Sequence, residues 1–382
     1  MSEPLPVTVV IPAYNRPAMV KRAVRSALDQ RPRPPAEVIV VDDCSSDDTA
    51  AAASAAGATV IRHEANLGEA AARNTAIRAA GQEWIALLDS DDEFLPGHLA
   101  ALWPHRDGHV ILGSSAIACA PDPAHDTLIG RPGSSPGVLC SPASVLRRGN
   151  ALVATSVMLR KDVAIESGLF AEGMERVADL DLWLRVLERG TGYVSPDVTV
   201  RYHVHAGQVS GDLIKMCEAY AAVIEAYRGR PWLTRAVGAR SETTLLWVRL
   251  RLDLRNGRRV PALRGLGRIA RDPLKLRALA DLLAYRLVLQ RRRSRYTREG
   301  SRTIRLWTSA PELVGAARAR GVASLEPLET RSFAAGLPDV LRRPAGLTIT
   351  DTRVRAAVAR AAGSPAVRAG RDGTGLPAAS PS

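Results

Sequence analysis

The chain has 382 residues, of which 46% are hydrophobic and 24% charged, so it can bury a substantial core and hold one large domain with an appendage, or two domains. No segment contains the roughly 18 consecutive apolar residues of a membrane span, and the N-terminus lacks a basic, apolar leader, so neither an integral membrane protein nor a secreted one is expected. The four cysteines are scattered without metal-type spacing, which predicts reduced thiols in a cytoplasmic protein.

The formal net charge of +13 is divided unevenly along the chain. Residues 1–210 hold 19 Lys+Arg against 25 Asp+Glu, whereas residues 211–382 hold 33 against 14. The basic charge therefore belongs to the C-terminal part, and the part with recognisable motifs is mildly acidic. This division counts against a nucleic-acid-binding protein, and no nucleic-acid partner is expected.

Four short apolar runs in the N-terminal part predict strands at residues 7–11, 38–41, 59–61 and 84–88. Pro12 is expected to stop the first strand, and Pro17 suits the first turn of the helix that follows. After the second strand, Ser or Asp can cap an Ala-rich helix that reaches Gly57; another Ala-rich helix follows Gly68 and closes at Gly81. This alternation predicts an α/β fold with a largely parallel sheet.

The fourth predicted strand ends in a cluster of acidic residues, Asp89, Asp91, Asp92 and Glu93. Like charges this close in sequence repel one another unless a cation or solvent compensates them. Asp89 and Asp91 can point the same way on an extended backbone, and two oxygen donors at this spacing suit Mg²⁺ or Mn²⁺ bound to a diphosphate. For this stretch alone, the alternative is that Asp91 or Asp92 caps a helix running into Phe94.

Six motifs occur in a recognisable order: IPAYN (residues 11–15), VDDCSSDDT (41–49), NLGEAAARN (66–74), LDSDD (88–92), GLF (168–170) and DLDLWLR (179–185). Together they resemble the successive motifs of family 2 glycosyltransferases of the GT-A fold, over about residues 6–210. The resemblance implies a GT-A type nucleotide-binding fold with a mostly parallel central sheet. It also implies a nucleoside-diphosphate-sugar donor, a divalent cation (Mn²⁺ or Mg²⁺), and inverting, metal-dependent transfer of a hexosyl or related group to an acceptor hydroxyl.

The same resemblance implies donor-binding residues in the first three motifs. Pro12, Ala13 and Tyr14 would border the nucleotide, with the Tyr14 ring available to stack on the base. Asp43 would hold the base, and Arg73 would reach the nucleotide. The alternatives are ordinary: Asp43 can be a turn or cap residue, Tyr14 a packing residue, and Arg73 an exposed helical arginine.

The later motifs imply the metal site. Asp89 would contact the ribose or a metal-bound water, and Asp91 would bind the metal. His205, in the segment that closes the similar domains, would be a further metal ligand or would donate to the diphosphate. A structural His205 is the alternative.

Asp179 is the candidate base that takes the proton from the acceptor hydroxyl. Its alternative role is to complement the helix dipole in the first turn of a predicted helix. The sequence departs from the family pattern at two places, with Ala178 where a Glu usually precedes the Asp and Cys44 where a Gly is common. The first puts acceptor contact or orientation in doubt, and the second puts a side chain into a tight loop beside the base pocket.

Residues 113–150 are rich in Pro, Gly and Ser without helical periodicity, and we expect acceptor-facing loops there. Beyond Asp212 the chain changes to Leu/Ala/Arg helices, including one at residues 274–289. These helices could lie on an anionic membrane surface, but we favour an appendage with a solvated basic face. Some further structure is expected within residues 303–350.

We therefore predict a glycosyltransferase domain at residues 1–212, a basic, mostly helical region at 213–362, and a disordered tail at 363–382. The predicted location is cytoplasmic, at most peripheral at the inner membrane surface. The acceptor is undetermined among a glycan, a lipid-linked glycan and a small molecule. A nucleotidyltransferase and a non-catalytic nucleotide-sugar-binding module are the alternatives. A nucleotidyltransferase would require a Gly-rich phosphate-binding loop after the first strand, but the sequence there is IPAYN.

Overall fold

The N-terminal part of the fold alternates strands and helices, as predicted. The computed structural model describes residues 3–119, 127–129, 138–148, 150, 152–205, 213–281, 283, 303–306 and 324–327. The first elements are β1 (Leu5–Ala13), α1 (Pro17–Leu28), β2 (Pro35–Asp42), α2 (Thr49–Ala55), β3 (Thr59–Arg62), α3 (Glu69–Ala79) and β4 (Trp84–Leu87). The strands β3, β2, β1 and β4 lie side by side in that order and run parallel.

Strand β1 does not stop at Pro12 but continues to Ala13, so that part of the prediction is wrong. Pro12 lies opposite Val41 of β2. On the other side of β1, pairing with β4 ends at Val10, whose carbonyl accepts from the Leu88 N–H at 3.1 Å. Backbone groups two residues apart on a strand point the same way, so the missing N–H of Pro12 faces the side where β4 has already ended.

The second part of the fold mixes strand directions. Its elements are β5 (Glu93–Phe94), α4 (His98–Leu102), β6 (Ile111–Cys119), β7 (Thr127–Ile129), β8 (Val138–Cys140), α5 (Pro142–Arg148), β9 (Val157–Arg160), α6 (Lys161–Glu166), α7 (Ala178–Leu187) and β10 (Gly192–His203). β9 runs antiparallel between β4 and β6, and β10 runs parallel to β6. With β11 (Thr303–Leu306) and β12 (Ser324–Pro327), the described strands form one mostly parallel sheet in the order β12-β11-β10-β6-β9-β4-β1-β2-β3. Off this path, β7 pairs with β6, and β5 and β8 pair with β10.

In this part the structure rules out one alternative and contradicts one prediction. Phe94 belongs to the short strand β5, which pairs antiparallel with β10 opposite Val200, and not to a helix capped by Asp91 or Asp92. Residues 113–119 and 142–148 form β6 and α5 where loops were predicted. Small residues explain why β6 was predicted as a loop: Gly113, Ser114 and Ser115 are buried in the sheet, and a Cβ at Gly113 would lie only 2.7 Å from Leu152 Cδ2. Residues 120–126, 130–137 and 149 of the predicted loops lie outside the described residues.

The C-terminal part is helical, as predicted, with α8 (Leu213–Ala226), α9 (Arg235–Arg255) and α10 (Arg259–Ala270), and residues 273–281 are also helical. The strands β11 (Thr303–Leu306) and β12 (Ser324–Pro327) extend the sheet beyond β10. Most of the predicted helix 274–289 beyond residue 281, the rest of 303–350 and the predicted tail at 363–382 lie outside the described residues. Among the described residues, no helix combines the length and apolar character needed to cross a bilayer.

Helices cover both faces of the sheet. One hydrophobic cluster packs α1, α2 and α4 against one face, and a second packs α3 and α7 against the other. The second cluster includes Val223 and Ile224 of α8 and Tyr227, which directly follows that helix. The Tyr227 hydroxyl donates to Asp181 Oδ1 of α7 at 2.9 Å. The boundary predicted at residue 212 stays a prediction, but α8 shares its core with α7.

Candidate active site

The candidate site lies where β1, β2 and β4 end. Asp43 directly follows β2, and Asp89 comes two residues after the end of β4. Because β2, β1 and β4 are parallel, their carboxyl ends lie at one edge of the sheet, which is where open α/β sheets bind ligands. The residues predicted from the first, second and fourth motifs therefore lie at one edge.

Three carboxylates gather after β4. Asp89, Asp91 and Asp92 each offer one oxygen, and these oxygens lie within 4.8 Å of one another. The backbone is not extended here, as had been predicted, but turns: the Asp92 N–H donates to the Asp89 carbonyl at 3.0 Å. The turn brings the Asp92 carboxylate close to those of Asp89 and Asp91, whereas only these last two were predicted to act on the metal or the donor.

Asp91 is held by two basic side chains. His205 Nε2 lies 2.8 Å from Asp91 Oδ2, and the guanidinium of Arg16 donates to the same oxygen. Burial acts to raise the pKa of Asp91, but the hydrogen bond with His205 and the charge of Arg16 outweigh it and hold the pKa below its usual range. Asp91 is therefore an anion at neutral pH, and His205 lies beside it as the resemblance implied. Arg16 was missed, although it directly follows the IPAYN motif.

Asp92 is fully buried, and its Oδ1 accepts from the His203 N–H at 2.8 Å. Its other oxygen, Oδ2, makes no hydrogen bond of good geometry among the described residues, although the Thr155 hydroxyl interacts with this carboxyl and acts to lower its pKa. Burial first, and then the negative charges of Asp89 and Asp91, raise the pKa of Asp92 well above its usual range. A buried carboxylate oxygen without a hydrogen bond of good geometry is costly, so the cluster is poised to gain from a bound cation.

Arg73 on α3 is buried against the three carboxylates, so the alternative that it is an exposed helical arginine is wrong. Its Nη2 donates to Asp89 Oδ1 at 2.5 Å and also to the Glu69 carboxylate, and its guanidinium lies 5.2 Å from the centre of the Phe170 ring. Burial acts to lower the pKa of Arg73, but the charges of Glu69 and Asp89 outweigh it and raise the pKa. Arg73 thus balances part of the acidic charge, and it connects the third motif with the GLF motif through Phe170.

Asp43 has three hydrogen-bond donors around it. The Leu67 and Gly68 N–H groups donate to Oδ1 and Oδ2 at 3.0 and 2.8 Å, and His63 Nδ1 lies 2.7 Å from Oδ1. A carboxylate has about four acceptor sites, so Asp43 keeps room for one further donor. Its position and its orientation are fixed by the loop that leads into α3.

The loop after β1 is tied to the loop after β2. Pro12 and Ala13 end β1, and Tyr14 follows with 46% of its surface exposed, which leaves its ring available to a ligand. The Asn15 N–H donates to Ser45 Oγ at 2.9 Å, and Asn15 itself has a positive φ of 50°. These contacts hold the two loops together at the sheet edge.

Cys44 occupies a backbone conformation that favours glycine. Its φ is 64°, in the left-handed region, and its Sγ lies 3.4 Å from the Glu64 carbonyl oxygen. A non-glycine residue in this region costs about 1–2 kcal/mol. The expectation that Cys44 puts a side chain into a tight loop is in keeping with this geometry.

Asp179 stands in the first turn of α7. Asn150 Nδ2 donates to its Oδ2 at 3.4 Å, and burial raises the pKa of Asp179, opposed in part by the Leu180 backbone N–H and the charge of Arg73. The charges of Arg73 and Asp89 both act on this carboxyl, so Asp179 belongs to the same electrostatic environment as the cluster. A raised pKa makes an ionised carboxylate a stronger base.

Ala178, the departure next to Asp179, packs in the hydrophobic cluster beneath α7. In place of a glutamate, polar groups from elsewhere surround Asp179. Asn150 comes from the segment before β9, and Tyr220 of α8 is near enough that the charge of Asp179 helps raise its pKa, after burial. No sequence signal marked Asn150 or Tyr220, because neither belongs to a motif.

Comparison with known proteins bears on the N-terminal part of the chain. Residues 8–122 match the family model described as Glycosyl transferase family 2. The chain therefore contains a domain of this family.

Similar proteins agree with this assignment. The chain is 30% identical over 202 residues to the succinoglycan biosynthesis protein ExoU of Rhizobium meliloti, covering 50% of this chain and 59% of ExoU. It is 26% identical over 211 residues to the putative colanic acid biosynthesis glycosyl transferase WcaA of Escherichia coli, covering 53% of this chain and 74% of WcaA. The chain thus spans less than two thirds of the length of ExoU.

A solved structure supports the fold. The crystal structure of S. aureus TarS 1-349 in complex with UDP-GlcNAc superposes with a TM-score of 0.51 at 17% identity, covering 63% of this chain and 71% of that one. The predicted GT-A type α/β fold is therefore confirmed, together with the helical C-terminal region.

The donor set of this family 2 domain suits a hard divalent cation. Carboxylate oxygens are the preferred ligands of Mg²⁺ and Mn²⁺, and a neutral imidazole such as His205 suits Mn²⁺ better than Mg²⁺. The buried Oδ2 of Asp92, which lacks a hydrogen bond of good geometry among the described residues, and the convergence of three carboxylates fit such an ion. The guanidinium of Arg16, which now contacts Asp91, would share that oxygen with the ion or move aside.

Proposed function

We propose that this protein transfers a glycosyl group from a nucleoside-diphosphate sugar to an acceptor hydroxyl, with the aid of a divalent cation and with inversion at the anomeric carbon. The observation that carries the proposal is the convergence of the Asp89, Asp91 and Asp92 carboxylates at the carboxyl end of β4, in the electrostatic field that also acts on Asp179. The match of residues 8–122 to the family 2 model supports the transferase class.

The donor would lie along the carboxyl ends of β1, β2 and β4. The remaining acceptor site on Asp43 can take an N–H of the base or a hydroxyl of the ribose, and the exposed ring of Tyr14 offers a stacking face. Pro12 and Ala13 would form the floor beside the base. The diphosphate would then reach the acidic cluster, with Arg73 beside Asp89. TarS was solved with UDP-GlcNAc on a similar fold, which supports a donor of this class.

Asp91 and His205 would hold the cation, and Asp89 would contact the ribose or a water bound to the cation. The cation would supply positive charge to the departing diphosphate. The lowered pKa of Asp91 supports its role, because a ligand carboxylate has to be ionised. Asp92, buried behind the other two, would hold the turn that aims them, through its hydrogen bond with the His203 N–H.

Asp179 would act as the base in a single displacement. The acceptor oxygen forms a bond to the anomeric carbon as the bond from that carbon to the diphosphate oxygen breaks, and the acceptor proton passes to Asp179. Attack from the side opposite the leaving group inverts the anomeric configuration. Asn150 donates to Asp179 Oδ2 and would orient this carboxylate. It would thus replace the glutamate that the family usually has at the position of Ala178.

The acceptor remains a proposal among a glycan, a lipid-linked glycan and a small molecule. The names of ExoU and WcaA refer to the biosynthesis of succinoglycan and colanic acid, which supports a glycan or a lipid-linked glycan. We also propose a cytoplasmic location, at most peripheral at the inner membrane surface, because the sequence has no apolar run of membrane-spanning length and its C-terminal part is basic.

A panel of nucleoside-diphosphate sugars, each tested with Mn²⁺ and with chelator, provides the experiment. A donor that binds only the folded protein raises its thermal midpoint, by the equivalent of about 2.7 kcal/mol at a hundred times its dissociation constant. We expect one nucleotide family to stabilise the protein with Mn²⁺ and much less with chelator. If no nucleoside diphosphate or its sugar changes the midpoint under either condition, the proposed donor site is wrong.

A further inference from the structure

Helix α10 presents an apolar line to solvent. It packs on α9 through Ala262 and Ile269, which are buried. On another part of its surface, Val260, Leu263 and Leu266 recur at a spacing of three residues and are 60%, 66% and 40% exposed. Such spacing places side chains next to one another along a helix. Helix α10 therefore has an apolar face beyond the one it uses to pack in the fold.

The same helix is basic and has no acidic residue. Arg264, Arg268 and Arg271 follow one another at spacings of four and three residues and form a second exposed line adjoining the apolar one. Among the described residues, no recorded ion pair involves Arg264 or Arg268. Of the nearby acids, Asp253 is buried and already contacts Arg249 and Arg258, and Asp272 accepts from the Leu274 N–H at 2.9 Å. The positive charge of this face is therefore not balanced locally.

Two more exposed leucines extend the apolar character on either side of α10. Leu254, near the end of α9, is 56% exposed, and Leu276, in the helical segment 273–281, is 46% exposed. The charge balance of the whole C-terminal part is strongly basic, as the sequence shows. A solvated basic face, the interpretation favoured from sequence, does not account for exposed leucine and valine side chains in a line.

We propose that this face of α10, named here the α10 face and defined by Val260, Leu263, Leu266, Arg264 and Arg268, docks on an anionic lipid membrane. The apolar side chains would enter the boundary between head groups and acyl chains, with the arginines at the level of the phosphates. Arginine matches phosphate geometry through paired N–H donors, and anionic head groups complement the unbalanced charge. The inference is independent of the proposed glycosyl transfer.

Vesicle co-sedimentation of the full chain tests the proposal. Vesicles of phosphatidylcholine with phosphatidylglycerol are compared with vesicles of phosphatidylcholine alone, at low and at high salt. We expect binding to the anionic vesicles and a marked loss on phosphatidylcholine alone. Absence of binding to anionic vesicles at low salt overturns the proposal, and equal binding to both kinds of vesicle overturns the role of the arginines.

Paired substitutions separate the two lines of the face. Val260→Gln with Leu263→Gln removes apolar surface without changing charge, and should weaken binding at least about tenfold. Arg264→Gln with Arg268→Gln should weaken it roughly 25-fold, at about fivefold for each arginine near an anionic surface. The matched control is Ile165→Gln with Arg78→Gln, which changes an exposed apolar side chain and an exposed arginine elsewhere and should bind as the parent does.

Thermal unfolding and size-exclusion chromatography of the same variants test two other possibilities, namely that another segment of the chain or a second copy of the protein covers the α10 face. The proposal expects the Val260→Gln and Leu263→Gln variant to unfold at the parental midpoint, because the face is open to solvent. A lowered thermal midpoint with unchanged vesicle binding would show that another segment of the same chain covers the α10 face, and would overturn the proposal. A parental dimer that this variant dissociates would show that a second copy of the chain does so.

Discussion

Replacing Arg73 by methionine should destabilise the fold more than any surface substitution on the same helix. The Arg73 side chain is 8% exposed and lies between Asp89 and Glu69, whose side chains are 20% and 51% exposed. Removing one partner of a buried ion pair typically costs 3–5 kcal/mol, because the remaining charge loses its compensation. Since both partners keep some contact with solvent, we expect the low end, about 3 kcal/mol, which corresponds to roughly 6–12 °C in the thermal midpoint.

The assay is thermal and urea unfolding of the ligand-free protein, with Arg78→Met as the control. Arg78 lies on the same helix but is exposed, so its replacement should change the free energy of unfolding by no more than about 0.5 kcal/mol. Adding Asp89→Asn to Arg73→Met removes one orphaned charge and should recover part of the loss. If Arg73→Met and Arg78→Met are equally stable, Arg73 does not compensate the buried acids.

Three further predictions concern other ionisable groups. Asp91→Ala should abolish Mn²⁺-dependent binding of the nucleoside diphosphate in calorimetry, whereas the exposed control Asp107→Ala should not; unchanged Mn²⁺ dependence would remove Asp91 from the metal site. Because burial raises the pKa of Asp179 in the native state, its carboxylate disfavours folding above that pKa. Asp179→Asn should therefore raise the thermal midpoint at pH 7–8, a gain that fades as the pH falls toward the unfolded value of ~3.9, and a midpoint gain independent of pH would contradict this origin. Burial lowers the pKa of His98 to about 3. The free energy of unfolding should therefore fall by up to about 1.4 kcal/mol per pH unit as the pH drops below ~6.5. His98→Asn should reduce this slope, and an unchanged slope would show that other groups cause it.

The sequence predicted those strands and helices whose apolar residues follow one regular pattern along the whole element. The strands and helices up to β4 were found because apolar runs and helical spacing alternate there without interruption. β6 was missed because Gly113, Ser114 and Ser115 interrupt its apolar residues; they fit a crowded sheet but have no apolar signal. β5 was missed because a strand of two residues depends on pairing with β10, which is more than a hundred positions away along the chain.

The candidate site divides in the same way. The motifs identified Asp43, Asp89 and Asp91 because each follows a predicted strand, and Arg73 because it lies on the helix predicted after Gly68. The contacts of Asn150 and Tyr220 near Asp179 come from segments that only the tertiary fold brings together. The turn at Asp92 was missed because an extended backbone was assumed after β4.

Replacement of Asp181 supplies the control for the candidate base. Asp181 lies two residues after Asp179, but its carboxylate already accepts from Arg185 at 2.6 Å and from the Tyr227 hydroxyl at 2.9 Å. These contacts join α7 to α8 and leave Asp181 a structural role. Asp181→Asn should therefore lower stability while the folded variant keeps its turnover.

Turnover by Asp179→Asn, measured with the donor that the binding panel identifies and with NMR of the anomeric product, tests the proposed mechanism most directly. The substitution keeps the shape of the side chain and removes its basicity. We predict donor and metal affinities close to the parental values, transfer reduced by at least ~10²-fold, and an inverted anomeric configuration in the parental product. Near-parental turnover by Asp179→Asn, or a retained configuration, would contradict single displacement with Asp179 as the base.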